Sequence, residues 1–240
     1  MGRMGLWAKI HKWLALLMAI QILFWFVSGL FFAAVPIEQV RSEHMKAEQA
    51  AAPVDLAVAA PGLARLAAEG VSGERVELRM LLGHPVALVT AREGRPRLFD
   101  LRSGRPASPI SALAAARIAE ADLAGDARAV RVDRVVENSP EYRGALPAWR
   151  VEFEDANRSL YVAADTGAVT ARRSTLWRVY DFLWGLHIMD WRGHEDFNNP
   201  LLIVFTILGL IVIVTGVVMF PSRLGYTAWR RRRRALRNSP

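Results

Sequence analysis

Two stretches of this chain stay uncharged long enough to decide its environment. Residues 13–35 run for 23 residues and residues 201–220 for 20, without Asp, Glu, Lys or Arg in either. At 1.5 Å of rise per residue, roughly 20 residues cross a hydrocarbon core of about 30 Å. Each stretch is therefore read as a transmembrane helix, and a purely soluble protein is excluded. What remains is an N-terminal tail (1–12), a basic C-terminal tail (221–240) and a central segment, 36–200, large enough to bury a core of its own.

The net charge of +8 is distributed unevenly. All 23 acidic residues lie in 36–200 beside 21 of the 31 basic ones, so that segment stands at −2 and the tails together at +10. Arg3, Lys9 and Lys12 precede the first span; Arg223, Arg230, Arg231, Arg232, Arg233, Arg234 and Arg237 follow the second. Excess Lys and Arg beside spans marks the cytoplasmic side, which puts both termini inside and 36–200 outside. With the Ala- and Arg-rich composition of a Gram-negative bacterium, that means the inner membrane and the periplasm. The arginine run sits about ten residues past a span, where anionic headgroups are its natural partner rather than nucleic acid.

The first stretch is read as a retained anchor. It exceeds the 7–15 apolar residues of a signal peptide, and Phe31-Phe32-Ala33-Ala34 offers no small residue at the −3 position for cleavage after Ala34. Without cysteine there is no disulfide and no thiolate metal site.

Within the central segment, residues 38–53 read as a polar, Ala-rich stalk. A helix at 61–69, stopped by Gly70, precedes strands at 75–81, 86–89 and 97–101. A second helix at 112–123, capped by Ser111 and followed by Gly125, precedes strands near 130–136, 149–153 and 160–163. The order helix, strand, strand, strand occurs twice. The expected fold is α+β: two transmembrane helices flanking a domain, 36–175, of two repeated helix-plus-antiparallel-strand units, about 55–107 and 108–175. Val151, Phe153, Leu160 and Val162 belong to its core. The two strand ends also match, Leu98–Gly104 against Leu160–Gly167, each placing an Asp and a Gly in a turn for reasons of backbone geometry alone.

On these residues the chain resembles the PepSY family: 161–169, Tyr-Val-Ala-Ala-Asp-Thr-Gly-Ala-Val, looks like its hallmark hairpin, and 98–104 like a degenerate copy. His11-Lys12-Trp13-Leu14 and Asp181-Phe182-Leu183-Trp184-Gly185-Leu186-His187 are similar to the membrane-edge sequences of PepSY-associated transmembrane proteins. The resemblance implies a small α+β periplasmic unit. For larger relatives with four or more spans, it implies links to iron uptake, ferric-siderophore reduction and haem binding.

Residues 176–200 are the most chemically loaded and read as an interfacial helix. Trp177, Trp184 and Trp191 recur every seven residues, as membrane-edge anchors do. On the same helix His187 and His194 would stand two turns, about 10 Å, apart, too far to share a metal, while Asp190, three after His187, could accept from its imidazole. That pattern fits either an ordinary interfacial hydrogen bond or a haem-binding histidine. His44 is a candidate second ligand for a bis-His b-type haem; His11 belongs to the opposite edge, and His84 reads as structural. In the spans, Gln21 and Ser28 share one face and Gly209 and Gly216 another, both suited to helix–helix contact.

There is no phosphate-cradling loop, HExxH or GxSxG. The sequence alone favours a non-catalytic binding, scaffold or accessory protein meeting another envelope protein or a second copy of itself. The rival is a b-haem electron-transfer protein assisting ferric-siderophore or iron reduction.

Overall fold

The computed structural model describes residues 3–48, 52–155 and 157–223; the arginine run 230–234 and Arg237 lie outside the described residues. The elements are α1 (Arg3–Ala34), α2 (Ile37–Val40), a 3-10 turn (Glu43–Met45), α3 (Leu56–Ala68), β1 (Arg75–Leu81), β2 (His84–Thr90), β3 (Arg97–Asp100), α4 (Ala112–Asp122), β4 (Ala129–Val135), β5 (Ala148–Phe153), β6 (Ser159–Ala163), β7 (Val169–Arg173), α5 (Thr175–Ile188) and α6 (Pro200–Arg223). This is an α+β chain with long apolar helices at both ends. It divides into two compact units: Met1–Ala34 with Asp181–Pro240, and Val35–Tyr180.

In the first unit α1 and α6 pack against each other. Gly209 faces Met18 and Trp25, whereas Gly216 faces His11, so the helices run antiparallel. A Cβ on Gly209 would meet Met18 at an ordinary 3.5 Å, but one on Gly216 would come within 3.2 Å of His11. Close approach thus depends on the second glycine more than the first. Leu16, Ile20, Phe26 and Leu30 of α1, with Leu210, Ile213, Val217 and Phe220 of α6, point away from the protein. Such a surface is stable against hydrocarbon, and helices satisfy their own backbone groups there.

In the second unit α3 precedes the antiparallel sheet β1-β2-β3, and α4 precedes the antiparallel sheet β4-β5-β6-β7. Because strand side chains alternate, β2 and β3 serve two cores. Val86 and Leu98 join Ile118, Val151, Phe153, Leu160 and Val162 in the larger core, while Ala87, Val89 and Phe99 join Ala59 and Leu66 of α3 in the smaller. Val151, Phe153, Leu160 and Val162 are all buried. A bidentate ion pair from Arg172 Nε and Nη2 to Asp122, at 2.6 and 2.5 Å, ties β7 to the end of α4.

Three boundaries differ from the sequence expectation. Helix α3 starts at Leu56, five residues before Pro61, because the Asp55 side chain accepts from the Ala57 N–H and nucleates the first turn. The helix carries Pro61 at the cost of one backbone bond. The second sheet gains β7, a short half-buried strand rich in arginine that no apolar alternation announces. The third difference is the end of α5, treated below. The two matched turns use different side chains: Asp100 Oδ1 accepts from the Arg102 and Ser103 N–H groups, whereas in the second turn Thr166 Oγ1 accepts from Ala168 and Asp165 faces Arg95 at 4.0 Å. Gly104 and Gly167 both have positive φ, 70° and 67°.

Candidate functional site at the membrane edge

The helix expected over 176–200 ends at Ile188, and the end is built into the residues that follow. Met189 takes a left-handed φ of 57°, turning the chain back. The Asp190 carboxylate then accepts from the backbone N–H groups of Gly193, Glu195 and Asp196 at 2.9, 2.9 and 3.1 Å. These donors hold its carboxyl far below the usual carboxylate range. Asn199 closes the turn: its Nδ2 donates to the carbonyls of Ile188 and Asp196, and its Oδ1 accepts from the Leu202 N–H at the start of α6.

This geometry corrects the helical projection. Asp190 is occupied by the backbone and does not orient His187. His194 is not two turns along the same helix but folds back onto α5, where its Nδ1 lies 2.6 Å from Asp181 and its carbonyl accepts from Trp184 Nε1 at 3.1 Å. Gly185 permits the return, since a Cβ there would stand 2.6 Å from the His194 ring. The tryptophans form no single stripe. Trp177 lies under the Arg173 guanidinium at 3.9 Å, Trp184 packs against Phe32 and Phe197, and Trp191 sits exposed in the turn. His44 falls in the 3-10 turn of the other unit.

His187 is instead held by the first span. Its Nδ1 lies 2.7 Å from Ser28 Oγ, its backbone carbonyl accepts from Trp25 Nε1 at 2.8 Å, and its ring stacks parallel to Trp184 with Phe32 edge-on. The Ser28 hydroxyl proton is directed at the Phe24 carbonyl, 2.5 Å away, with the Trp25 carbonyl at 3.3 Å. A hydroxyl has one proton, so while it lies on the Phe24 carbonyl the Ser28 oxygen accepts from His187. In that arrangement the imidazole proton sits on Nδ1 and Nε2 keeps its lone pair. Burial pushes the His187 pKa down, which favours the same neutral ring. Gln21, also buried, donates to the Leu186 carbonyl at 3.4 Å.

The arrangement recurs near the other end of the helix pair. His11 Nδ1 lies 3.0 Å from Thr215 Oγ1, whose proton is directed at the Ile211 carbonyl at 2.7 Å. With the Thr215 proton on that carbonyl, His11 carries its own proton on Nδ1 and Nε2 is the acceptor. Ser28 and His11 are 17 residues apart on α1, about 25 Å along its axis. Sequence reasoning missed Thr215 and set His11 aside; the signal was a hydroxyl beside Gly216 in a run whose one other hydroxyl is Thr206. Among the described residues no three His, Asp or Glu side chains gather as a metal site.

Two antiparallel apolar helices with an α+β unit inserted between them in sequence define a membrane protein. The chain belongs to the family described as the PepSY-associated TM region, whose pattern matches residues 8–239. No curated protein and no solved structure matches it.

Proposed function

We propose that this protein binds b-type haem at the membrane edges and carries electrons across the inner membrane, with both termini in the cytoplasm and the unit Val35–Tyr180 in the periplasm. The observation that carries this reading is the contact between imidazole Nδ1 and a hydroxyl at His187, repeated at His11: with each hydroxyl proton on its own helix's carbonyl, the imidazole proton sits on Nδ1 and the Nε2 lone pair is available, the state a metal-ligating histidine requires. The donor set fits one axial ligand per site, His187 at one edge and His11 at the other. Haem would supply a one-electron carrier at each. Ser28 and Thr215 hold the imidazole protons, Trp25 fixes the backbone at His187, and Trp184 with Phe32 keeps water from one side of its ring.

Each protomer offers a single imidazole per site, so a second copy or a partner subunit completes the coordination. Ferric-siderophore or iron reduction on the outer side is the use we propose for the electrons. The test is the absorption spectrum of full-length protein purified in detergent after expression with ample haem. A Soret band is expected that weakens in His187→Ala and in His11→Ala, is lost when both are replaced and is kept in His84→Ala, while Ser28→Ala lowers haem affinity at the His187 site by about 10- to 100-fold. Colourless protein that still co-purifies with an envelope complex would overturn the haem reading and leave the accessory role in its place.

A further inference from the structure

The unit Val35–Tyr180 carries an open groove of about 910 Å³ whose lining includes every residue from 78 to 83. Successive strand side chains point to opposite faces, so a groove touched by four consecutive β1 residues, 78–81, and by the turn after them runs along the edge of β1 rather than over one face of the sheet. The strand order confirms that this edge is unpaired: β1 has β2 on one side and, among the described residues, no ladder partner on the other. Across the groove stand Ile118 and Asp122 of α4 and Val169 and Arg172 of the other edge strand, β7. Ile118 and Val169 supply apolar surface across the groove, and the strand along its wall is an edge with no ladder partner on that side among the described residues.

The charge of the rim identifies the occupant. Arg172 is satisfied by Asp122. Arg79 donates through Nη2 to the Thr166 carbonyl, but its Nε is buried without an acceptor, and Lys46 stands exposed at the rim. Among the described residues the balance is two cations with no carboxylate partner, beside a strand edge with no ladder partner. We propose that this groove binds an extended, acidic peptide segment of a partner protein, which adds as a strand to β1 and places a carboxylate on Arg79 and Lys46. Strand addition uses backbone bonds for affinity and alternate side chains for selection, and the apolar surface across the groove receives every second residue.

The proposal is independent of haem and is tested with the full chain in nanodiscs by fluorescence anisotropy. The probe is a capped nine-residue peptide of alternating valine and glutamate. Controls are its lysine counterpart and a version N-methylated on alternate backbone amides. Saturable binding of the glutamate peptide is expected, weakened about tenfold or more by Lys46→Glu and by Arg79→Gln and abolished by N-methylation. Lys46 is exposed, so its variant reports charge without disturbing the core. Absence of binding, equal binding of the lysine peptide, or indifference to N-methylation would each overturn the proposal. So would a stable dimer, measured by light scattering, that excludes the probe, since the groove would then hold a second copy.

Discussion

At the scale of single residues, one glycine sets how closely α3 approaches the first sheet. Gly62 of α3 lies directly on the backbone of Leu101, where a Cβ would fall 2.0 Å from the carbonyl oxygen. No rotamer relieves a clash with main chain, so Gly62→Ala must push α3 off the sheet. A loss of about 1–3 kcal/mol or more is expected. Thermal melting of the full chain in detergent checks it, and an unchanged midpoint would refute the packing of α3 on Leu101. Nothing in the sequence distinguished Gly62 from a residue that merely weakens a helix. By contrast the histidines were visible as types but not as partners, because Ser28 and His187 are separated by 159 positions and meet only when the membrane unit folds. Local spacing suggested Asp190 for His187, and the backbone of the following turn took that carboxylate instead.

At the scale of elements, the start of α5 is fastened by a network around Glu141. Its carboxylate accepts from Arg178 Nε at 2.7 Å and from the Tyr161 hydroxyl at 3.1 Å, and its backbone carbonyl accepts from Arg173 at 2.6 Å. Burial alone would raise the Glu141 pKa, but the bond and charge of Arg178 outweigh it and hold the carboxyl below its ordinary value of 4.5. Tyr161, also buried and facing that carboxylate, is pushed up to about 12. A carboxyl with a lowered folded pKa contributes stability that is present above the unfolded value and lost as pH falls through the folded one. Glu141→Gln should therefore melt lower than the parent at pH 7, with the gap closing as pH falls below about 4.5. A gap that stays constant to about pH 3 would show that the carboxylate charge plays no part. Strands β1 to β6 were legible because apolar alternation and Gly or Asp turns bound them. Strand β7 was not, since Arg172 pairs with Asp122 and Arg173 donates to the Glu141 backbone carbonyl rather than filling a core.

At the scale of the whole molecule, hydropathy made the two spans legible, and charge placed the basic excess on the tails. Protease added to intact spheroplasts is expected to cut within 35–180 and to spare both ends; protection of that unit would reverse the proposed orientation. The turn that joins α5 to α6 also bears on how long such a molecule lasts. One side chain, Asn199, satisfies the carbonyl end of α5 and caps α6, so its conversion to aspartate would remove both amide donors at once. Asparagine ordinarily deamidates when the next residue's backbone nitrogen attacks the side-chain amide. The next residue is Pro200, whose nitrogen carries no hydrogen and cannot close that ring. The joint that seats the membrane-edge histidines is thereby shielded from the commonest form of chemical ageing.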